Sequence, residues 1–204
     1  MTAEILEPRR RPTQERSHIK FDHLLAVARE LLLEVGFESF TCEEVASRAG
    51  LPIGTLYQFF QNKYVIVCEL DRVDAVGVRQ ALEEFAAVIP RLDWVDFMDR
   101  LVDHMAELWA TDPSRRAVWH AVQSTPSTRA TAAITEREFA AEVARVLATL
   151  TPGMARERRA IIAEVLVHVV YSMLNFSIRD GQSHAEAIVE LKRLLAAYLL
   201  SANA

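Results

Sequence analysis

The chain has 204 residues, of which 51% are hydrophobic and 25% are charged, and its formal net charge is -5. This balance is typical of a folded globular protein and excludes an intrinsically disordered chain. Glycine and proline are scarce and no run of β-branched residues alternates with polar ones, so the sequence predicts an all-α protein. Because it has neither an uninterrupted apolar run of about 18 residues nor a signal-peptide core, we expect a cytoplasmic protein without a membrane partner.

The N-terminal end carries the most concentrated positive charge of the chain. The first eight residues are predicted to form a loose leader. Residues 9–20 contain five basic side chains against the single acid Glu15, a local charge of +4. The basic residues are Arg9, Arg10, Arg11, Arg16 and Lys20. In an acidic protein such an arm predicts contact with a polyanion, or alternatively a solvated tail that only aids solubility.

Three helices are predicted to follow this arm. Apolar residues recur at spacings of three and four from about residue 13 to 35, which predicts a first helix that Gly36 ends. Thr41 and Glu44 form a capping box, so a second helix begins there, and Gly50 supplies the left-handed position at which such a helix ends.

A short third helix is predicted from about Ile53 to Phe60. It buries Leu56 and Phe60 at a spacing of four and leaves a polar outer face. A scaffold helix, a glycine turn and a short helix of this kind predict a helix-turn-helix domain that reads DNA.

A specific set of spaced residues runs through this region. It reads Gly36-Phe37, then Thr41-x-x-Glu44-Val45-Ala46-x-x-Ala49-Gly50-Leu51, then Gly54-Thr55-Leu56-Tyr57-x-x-Phe60-x-x-Lys63. The set resembles the N-terminal domain of the tetracycline-repressor (TetR) family of bacterial transcription regulators, over roughly residues 13–70. The rest of the chain agrees with that family only in being helical and of suitable length.

The resemblance implies roles for several residues. It implies phosphate contacts by Thr41, Tyr57 and Lys63. It places Gly54 and Thr55 where the recognition helix meets the groove.

The chemistry of two further residues suits base recognition. Gln58, at a position where family members often touch base edges, could hydrogen-bond an adenine edge, and Ile53 could pack on a thymine methyl group. The alternatives are that Gln58 is only solvated and that Tyr57 only covers Phe60. Pro52 departs from the family, whose members often have a small polar residue there, so the usual side-chain cap is absent.

The basic arm fits the same interpretation. Beside a helix-turn-helix, short arginine arms can enter the minor groove next to the recognition helix. We therefore predict DNA contacts by Arg9, Arg10 and Arg11. The predicted DNA-binding domain covers residues 13–63 with its arm at 9–20, and residues 64–204 are predicted to form an effector-binding and dimerisation domain.

Long helices are predicted for the rest of the chain. A connector follows from Asn62 to about Ile89, and proline or capping signals open further helices near residues 93, 113 and 126. Residues 94–120 contain all three tryptophans, together with methionines and histidines that could line a pocket. The predicted pocket residues are Trp94, Met98, His104, Met105, Trp109, Trp119 and His120. The alternative is that they form ordinary helix cores; the family resemblance supplies the expectation of a small apolar or aromatic effector.

The last two helices, from about Met154 to Arg179 and after Ser183, carry apolar residues on more than one side. Such helices need more than one packing partner, which predicts an isologous four-helix dimer interface. The predicted interface residues are Val165, Val169, Met173, Ile188, Leu191, Leu195 and Tyr198. The alternative is that both helices are central within a monomer.

The sequence carries none of the common catalytic motifs. It has no glycine-rich phosphate loop, nucleophile elbow or zinc-protease motif, and we predict no catalytic residue, cofactor or metal site. The predicted function is therefore that of a ligand-released homodimeric repressor that binds a palindromic double-stranded DNA operator. The alternatives are a helical enzyme or a protein-binding adaptor that does not bind DNA.

Overall fold

The computed structural model describes residues 5–87, 94–177 and 185–202. Within these ranges all regular elements are α-helices, as the composition predicts. The helices in chain order are α1 (Glu15–Ser39), α2 (Cys42–Arg48), α3 (Ile53–Phe59), α4 (Lys63–Ala86), α5 (Trp94–Thr111), α6 (Pro113–Gln123), α7 (Pro126–Leu150), α8 (Arg156–Ser177) and α9 (Ala185–Ala202).

The described residues form two compact units. The first, unit 1, contains residues 5–74 and 113–134, and the second, unit 2, contains residues 75–87, 94–112, 135–177 and 185–202. Helix α6 thus belongs with the N-terminal helices, because it packs against α1. The functional boundary predicted after residue 63 stays a prediction.

The core of unit 1 is built around aromatic side chains from the N-terminal helices. The ring of Phe21 meets that of Phe59 edge-on at 5.4 Å and lies 4.9 Å from that of Phe60. Leu56 and Phe60 are fully buried, as their spacing predicts. Aromatic contacts of this kind add specific geometry to the burial of large apolar surfaces, so α3 is fixed against α1 by its inner face.

The first stretch of regular helix ends at Gly36, as predicted. The backbone leaves the helical conformation there, with φ of 70° and ψ of 170°. The range Glu15–Ser39 of α1 therefore joins two helical stretches across a kink at this glycine.

The prediction of a loose leader is wrong for residues 5–8. Leu6 is buried in the core of unit 1, and its backbone N–H donates to Thr131 Oγ1 at 3.0 Å. The sequence has no helical pattern in this segment. Local patterns also carry no information about a hydrogen bond between residues that are 125 positions apart.

Unit 2 is held together by contacts among its long helices. Helix α8 packs against α5 and α9, and α5 also packs against α9. By length and composition α8 could span a membrane, because its most apolar window has a mean hydropathy of 1.6. A core helix of a globular protein can be equally long and apolar, so this is weak evidence for a membrane span. The predicted end of the connector near Ile89, the predicted helix start near residue 93 and the predicted helix boundaries at Arg179 and Ser183 lie outside the described residues.

Candidate nucleic-acid interface

The scaffold helix α2 begins and ends as its sequence dictates. Thr41 is its N-cap, and the Thr41 hydroxyl accepts from the Glu44 backbone N–H at 3.2 Å. The Glu44 carboxylate accepts from Arg48 Nε at 2.9 Å, on the same helix. Gly50 lies in the left-handed region with φ of 62°, and the chain turns there into α3. These local signals place the start of α3 directly after α2.

Helix α3 presents a mixed outer face. Pro52 is its N-cap and makes no side-chain cap bond, but its carbonyl accepts from the Thr55 N–H at 2.8 Å. Ile53, Gly54 and Gln58 are exposed, whereas Thr55 and Tyr57 are half-buried. The side chain of Gln58 is therefore not part of the core.

Tyr57 is tied to the scaffold helix through its hydroxyl group. The hydroxyl donates to Glu43 Oε1 at 3.0 Å, and this hydrogen bond, with its carboxylate charge nearby, raises the pKa of Tyr57. Glu43 was not among the residues predicted from the sequence. Its position in the first turn of α2, where a carboxylate favours the helix dipole, gives a structural reason for an acid there.

Lys63 lies at the start of α4 and contacts the end of α1. Asn62 Oδ1 accepts from the Val65 N–H at 3.1 Å, as expected for an N-cap. Lys63 Nζ donates to the Phe37 carbonyl at 3.0 Å and lies 4.6 Å from the centre of the Phe37 ring. The ammonium group is therefore already bonded, and a phosphate would have to share or replace these contacts.

The three arginines predicted to enter the minor groove differ in their partners. Arg9 Nη1 donates to the Tyr57 carbonyl at 3.4 Å, whereas Arg11 forms a two-point ion pair with Glu69 at 2.8 and 3.1 Å. Arg10 is exposed, and the described residues offer it no hydrogen bond or ion pair. Of the three guanidinium groups, only that of Arg10 is thus uncommitted within the described part of the chain.

The predicted pocket residues divide between the two units. Met98 and Met105 line an apolar cavity of about 30 Å³ in unit 2, between α5, α7 and α8. The ring of Trp109, one turn beyond Met105, meets that of Tyr171 at 5.8 Å, and its Nε1–H is buried without a partner among the described residues.

The remaining members of the set lie elsewhere. Trp119 and His120 are in unit 1, where their rings meet at 5.2 Å, so they do not line the cavity of unit 2. Burial, with a smaller effect of nearby Arg116, lowers the pKa of His120. His104 is half-buried on α5, and the side chain of Trp94 lies outside the described part of the chain.

A second opening in unit 2 was not predicted. It is a cleft of about 270 Å³ between α4 and α7, with apolar and charged walls. Its lining residues are Leu82, Glu83, Ala86, Glu142, Arg145, Val146 and Thr149. Glu142 Oε2 is buried and has no hydrogen-bond partner among the described residues.

Burial separates the predicted dimer residues into two groups. Leu191 and Leu195 are buried in the protomer's own core and have no surface to offer a partner. Val165 is 38% exposed, and other members of the set are at least partly open to solvent; these are Val169, Met173, Ile188 and Tyr198. Several further large apolar side chains on α8 and α9 are more exposed than Val165. They are Ile161, Phe176, Val189, Leu194 and Leu200.

Comparisons with known proteins agree with this helical arrangement. Residues 24–70 match the family described as "Bacterial regulatory proteins, tetR family", and residues 92–203 match "Tetracyclin repressor-like, C-terminal domain". An uncharacterized HTH-type transcriptional regulator, YdeS of Bacillus subtilis (strain 168), is 34% identical over 61 residues. That match spans 30% of this chain and only 29% of the relative.

Solved structures share the fold over nearly the whole chain. A TetR-family transcriptional regulator from Streptomyces coelicolor has a TM-score of 0.66 at 21% identity, with 90% of this chain and 99% of that chain covered. A TetR transcriptional regulator from Rhodococcus sp. RHA1 has a TM-score of 0.65 at 18% identity, with 91% and 98% covered. Because one family description covers more than half of the chain and the other covers the helix-turn-helix, this protein belongs to the tetracycline-repressor (TetR) family of bacterial transcriptional regulators.

Proposed function

We propose that this protein is a cytoplasmic, ligand-released homodimeric repressor that binds a palindromic DNA operator through two copies of α3. The observation that carries the proposal is the outer face of α3, where Ile53 and Gly54 are exposed opposite the buried side chains of Leu56 and Phe59. A helix with one face fixed in the core and the other open to solvent is suited to enter a major groove.

The residues around α3 divide into two proposed roles. Thr41, Tyr57 and Lys63 would bind phosphates, which fixes the orientation of the protein but carries no sequence information. Gln58 and Ile53, with Thr55 at the groove, would read base edges.

Among the arm residues, Arg10 is the one best suited to a phosphate or a minor groove. Its guanidinium group is exposed and has no acidic partner within the described part of the chain. An uncompensated positive charge of this kind is attracted to the phosphate backbone and to the negative potential of a narrow minor groove.

Dimerisation is proposed through the exposed apolar side chains of α8 and α9. Val165, Val189 and Leu194 are each more than a third exposed. Exposed apolar side chains on two neighbouring helices favour burial against a second copy of the chain. Two heads related by the two-fold symmetry of one interface would bind the two half-sites of a palindromic operator.

The proposed effector site is the apolar cavity between α5, α7 and α8. At about 30 Å³ it is much smaller than the roughly 300–1,000 Å³ of typical small-molecule sites. An apolar or aromatic effector would therefore have to separate these helices. A ligand that binds only the expanded state shifts the population toward that state, and the coupling typically amounts to about 1–3 kcal/mol.

The experiment begins with selection of a binding site from random-sequence DNA by the purified protein, followed by affinity measurements across a salt series. We expect salt-dependent binding by a dimer, and absence of such binding contradicts the proposal. Gln58→Ala should change the selected sequence, whereas Tyr57→Phe should weaken binding to all sequences alike. A uniform loss with Gln58→Ala would assign that residue to the backbone instead.

Further variants test the interface and the effector site. Leu194→Glu should give monomers by analytical ultracentrifugation, with Val76→Glu, at an exposed apolar position of α4, as the control for the added negative charge. Met105→Phe fills the cavity and should abolish release of DNA by an effector while DNA binding persists. If Glu142→Gln abolishes release and Met105→Phe does not, the effector binds in the cleft between α4 and α7.

A further inference from the structure

We propose that residues 6–11 form an N-terminal strap that caps and positions the recognition helix α3, and that buried Glu69 anchors this strap. The proposal rests on the role of α3 as the base-reading helix, and it replaces a direct DNA contact for Arg11 with an intramolecular one. All of the contacts that carry it lie within unit 1.

One end of the strap is fixed by residues that are distant in the sequence. The Leu6 side chain is buried, its N–H donates to Thr131 Oγ1 at 3.0 Å, and its carbonyl accepts from Arg72 Nη2 at 3.1 Å. A segment whose backbone donor and acceptor are both bonded to side chains, and whose own side chain is buried, is an ordered part of the fold. This end of the strap is therefore an attachment rather than a free arm.

The other end of the strap is fixed by charge. The Glu69 side chain is only 4% exposed, and its two oxygens accept from Arg11 Nη1 at 2.8 Å and Arg72 Nη1 at 2.8 Å. A buried carboxylate is stable only when it is paired and hydrogen-bonded, so the requirement of Glu69 for partners holds Arg11 in place. Glu7 Oε1 lies 4.0 Å from Arg72 Nη2, so Glu7 and Glu69 together balance the charges of Arg11 and Arg72, and the cluster has little net charge to offer a DNA phosphate.

The strap meets α3 through Arg9, which lies between these two attachments. The Arg9 backbone N–H donates to the Phe59 carbonyl at 2.8 Å, and Arg9 Nη1 donates to the Tyr57 carbonyl at 3.4 Å. The last carbonyls of a helix have no partner within the helix, and a cation near them also favours the helix dipole. Arg9 therefore acts as the C-terminal cap of α3.

This cap matters because α3 has only seven residues. Isolated helices shorter than about 12–15 residues are marginal in water, so a short recognition helix depends on tertiary contacts at its ends. Release of the strap would leave the Tyr57 and Phe59 carbonyls without these donors and would loosen the last turn of α3, which carries Tyr57 and Gln58, while Phe59 stays in the core. The competent conformation of α3 would then be populated in only a fraction of the molecules, and DNA affinity would fall by the same fraction.

The test uses the full chain and compares Arg11→Gln with Arg10→Gln, two adjacent replacements that each remove one positive charge. DNA affinity is measured across a salt series on the duplex selected by the wild-type protein and on a scrambled duplex. Arg11→Gln should weaken specific binding about tenfold, which is the loss expected if α3 has its DNA-binding conformation in about one tenth of the molecules. The salt slope should not change. Arg10→Gln should make the slope shallower by about 0.9 for each phosphate that the arginine neutralises in the wild type.

Two variants separate positioning from general destabilisation. Arg11→Lys keeps a cation beside Glu69 and should restore most of the specific affinity. Thr131→Val removes the acceptor for the Leu6 N–H without a change in charge, and it should reproduce the weaker binding of Arg11→Gln. Hydrogen exchange should quicken in residues 6–11 and at the end of α3 in both Arg11→Gln and Thr131→Val, with the other core amides unchanged.

Failure of the strap proposal can be told apart from failure of the proposed function. If the wild-type protein selects no DNA sequence, the proposed function fails, whereas the exchange measurements still report on the strap. If the wild type binds but Arg11→Gln lowers the salt slope as Arg10→Gln does, Arg11 contacts DNA and the strap proposal is overturned. Unchanged exchange at the end of α3 in both strap variants also overturns it.

Discussion

Replacement of Glu43 by glutamine should strengthen DNA binding. Glu43 Oε1 accepts the hydroxyl hydrogen of Tyr57, a proposed phosphate anchor, and Glu43 lies two residues after the second anchor, Thr41. The acid thus brings a negative charge to the surface that would face the phosphates. Glutamine keeps an oxygen that can accept the Tyr57 hydrogen bond, so Glu43→Gln changes the charge and leaves the geometry intact.

The size of the effect follows from the hydrogen bond. A phosphate oxygen can only accept, so its binding about 2.8 Å from the Tyr57 hydroxyl would take the single hydroxyl hydrogen from Glu43 Oε1 and put the phosphate charge about 6 Å from the Glu43 carboxylate. The repulsion is then about 0.7 kcal/mol in water, and about 0.3 kcal/mol after screening at physiological salt. Two copies in a dimer give about 0.7–1.4 kcal/mol, which corresponds to a gain in affinity of about 3- to 10-fold.

Fluorescence anisotropy with the selected duplex measures this gain, and Glu157→Gln on α8 is the matched control for net charge. Glu43→Gln should also lose about 0.3–1 kcal/mol of stability, because it removes an acid from the first turn of α2. Affinity and stability therefore move in opposite directions. An affinity that is unchanged or lower, or an equal gain with Glu157→Gln, would refute the placement of a phosphate beside Tyr57.

Three further outcomes are expected. Burial and then the Glu43 charge raise the pKa of Cys42 to about 11, and burial raises the pKa of Cys68 to about 12. At pH 8 a thiol reagent should therefore react with the folded protein at least about 100-fold more slowly than with the urea-unfolded chain. Burial raises the pKa of Glu136, so the folded state binds more protons than the unfolded state. The free energy of unfolding should therefore fall as pH rises from about 4.5 through the higher folded pKa, and urea titrations should show that Glu136→Gln removes this loss. Gly50→Ala should lower the free energy of unfolding by about 1–2 kcal/mol, because φ is positive there although nothing lies within 4 Å of the added Cβ. Gly54→Ala, at a helical φ, should not destabilise the protein.

The helix-turn-helix could be predicted from the sequence because its determinants are local. The Thr41 cap, the Gly50 turn and the burial of Leu56 each depend on residues within a few positions of one another. Patterns of three and four residues report such features directly. The assignment of α3 as the exposed helix of the motif follows from the same spacing.

The contacts that change the interpretation of the basic arm could not be predicted in this way. Arg11 pairs with Glu69 across 58 residues, and Leu6 bonds Thr131 across 125. The charge pattern alone indicates a +4 arm and gives no sign that one of its charges is paired with a buried carboxylate. The only local signal is Glu69 itself, an acid that directly follows a run of apolar residues in α4.

In the last helix, two of the predicted interface residues, Leu191 and Leu195, are buried within the protomer. Apolar residues lie on several sides of α9, so the sequence indicates two packing partners but does not say which side meets which partner. The structure buries the stripe Ala187, Leu191, Leu195 and Leu199, at a regular spacing of four, within the protomer.

A spacing of four places these residues along one ridge of the helix, and a ridge that packs into α5 and α8 is no longer available to a second copy. Val189 and Leu194 lie off this ridge and remain about half exposed. If a second copy of the chain covers α9, it would therefore bury side chains outside the ridge, such as Val189 and Leu194. In α9 the regular stripe forms the internal core, and the exposed apolar side chains beside it are where an interface should be sought.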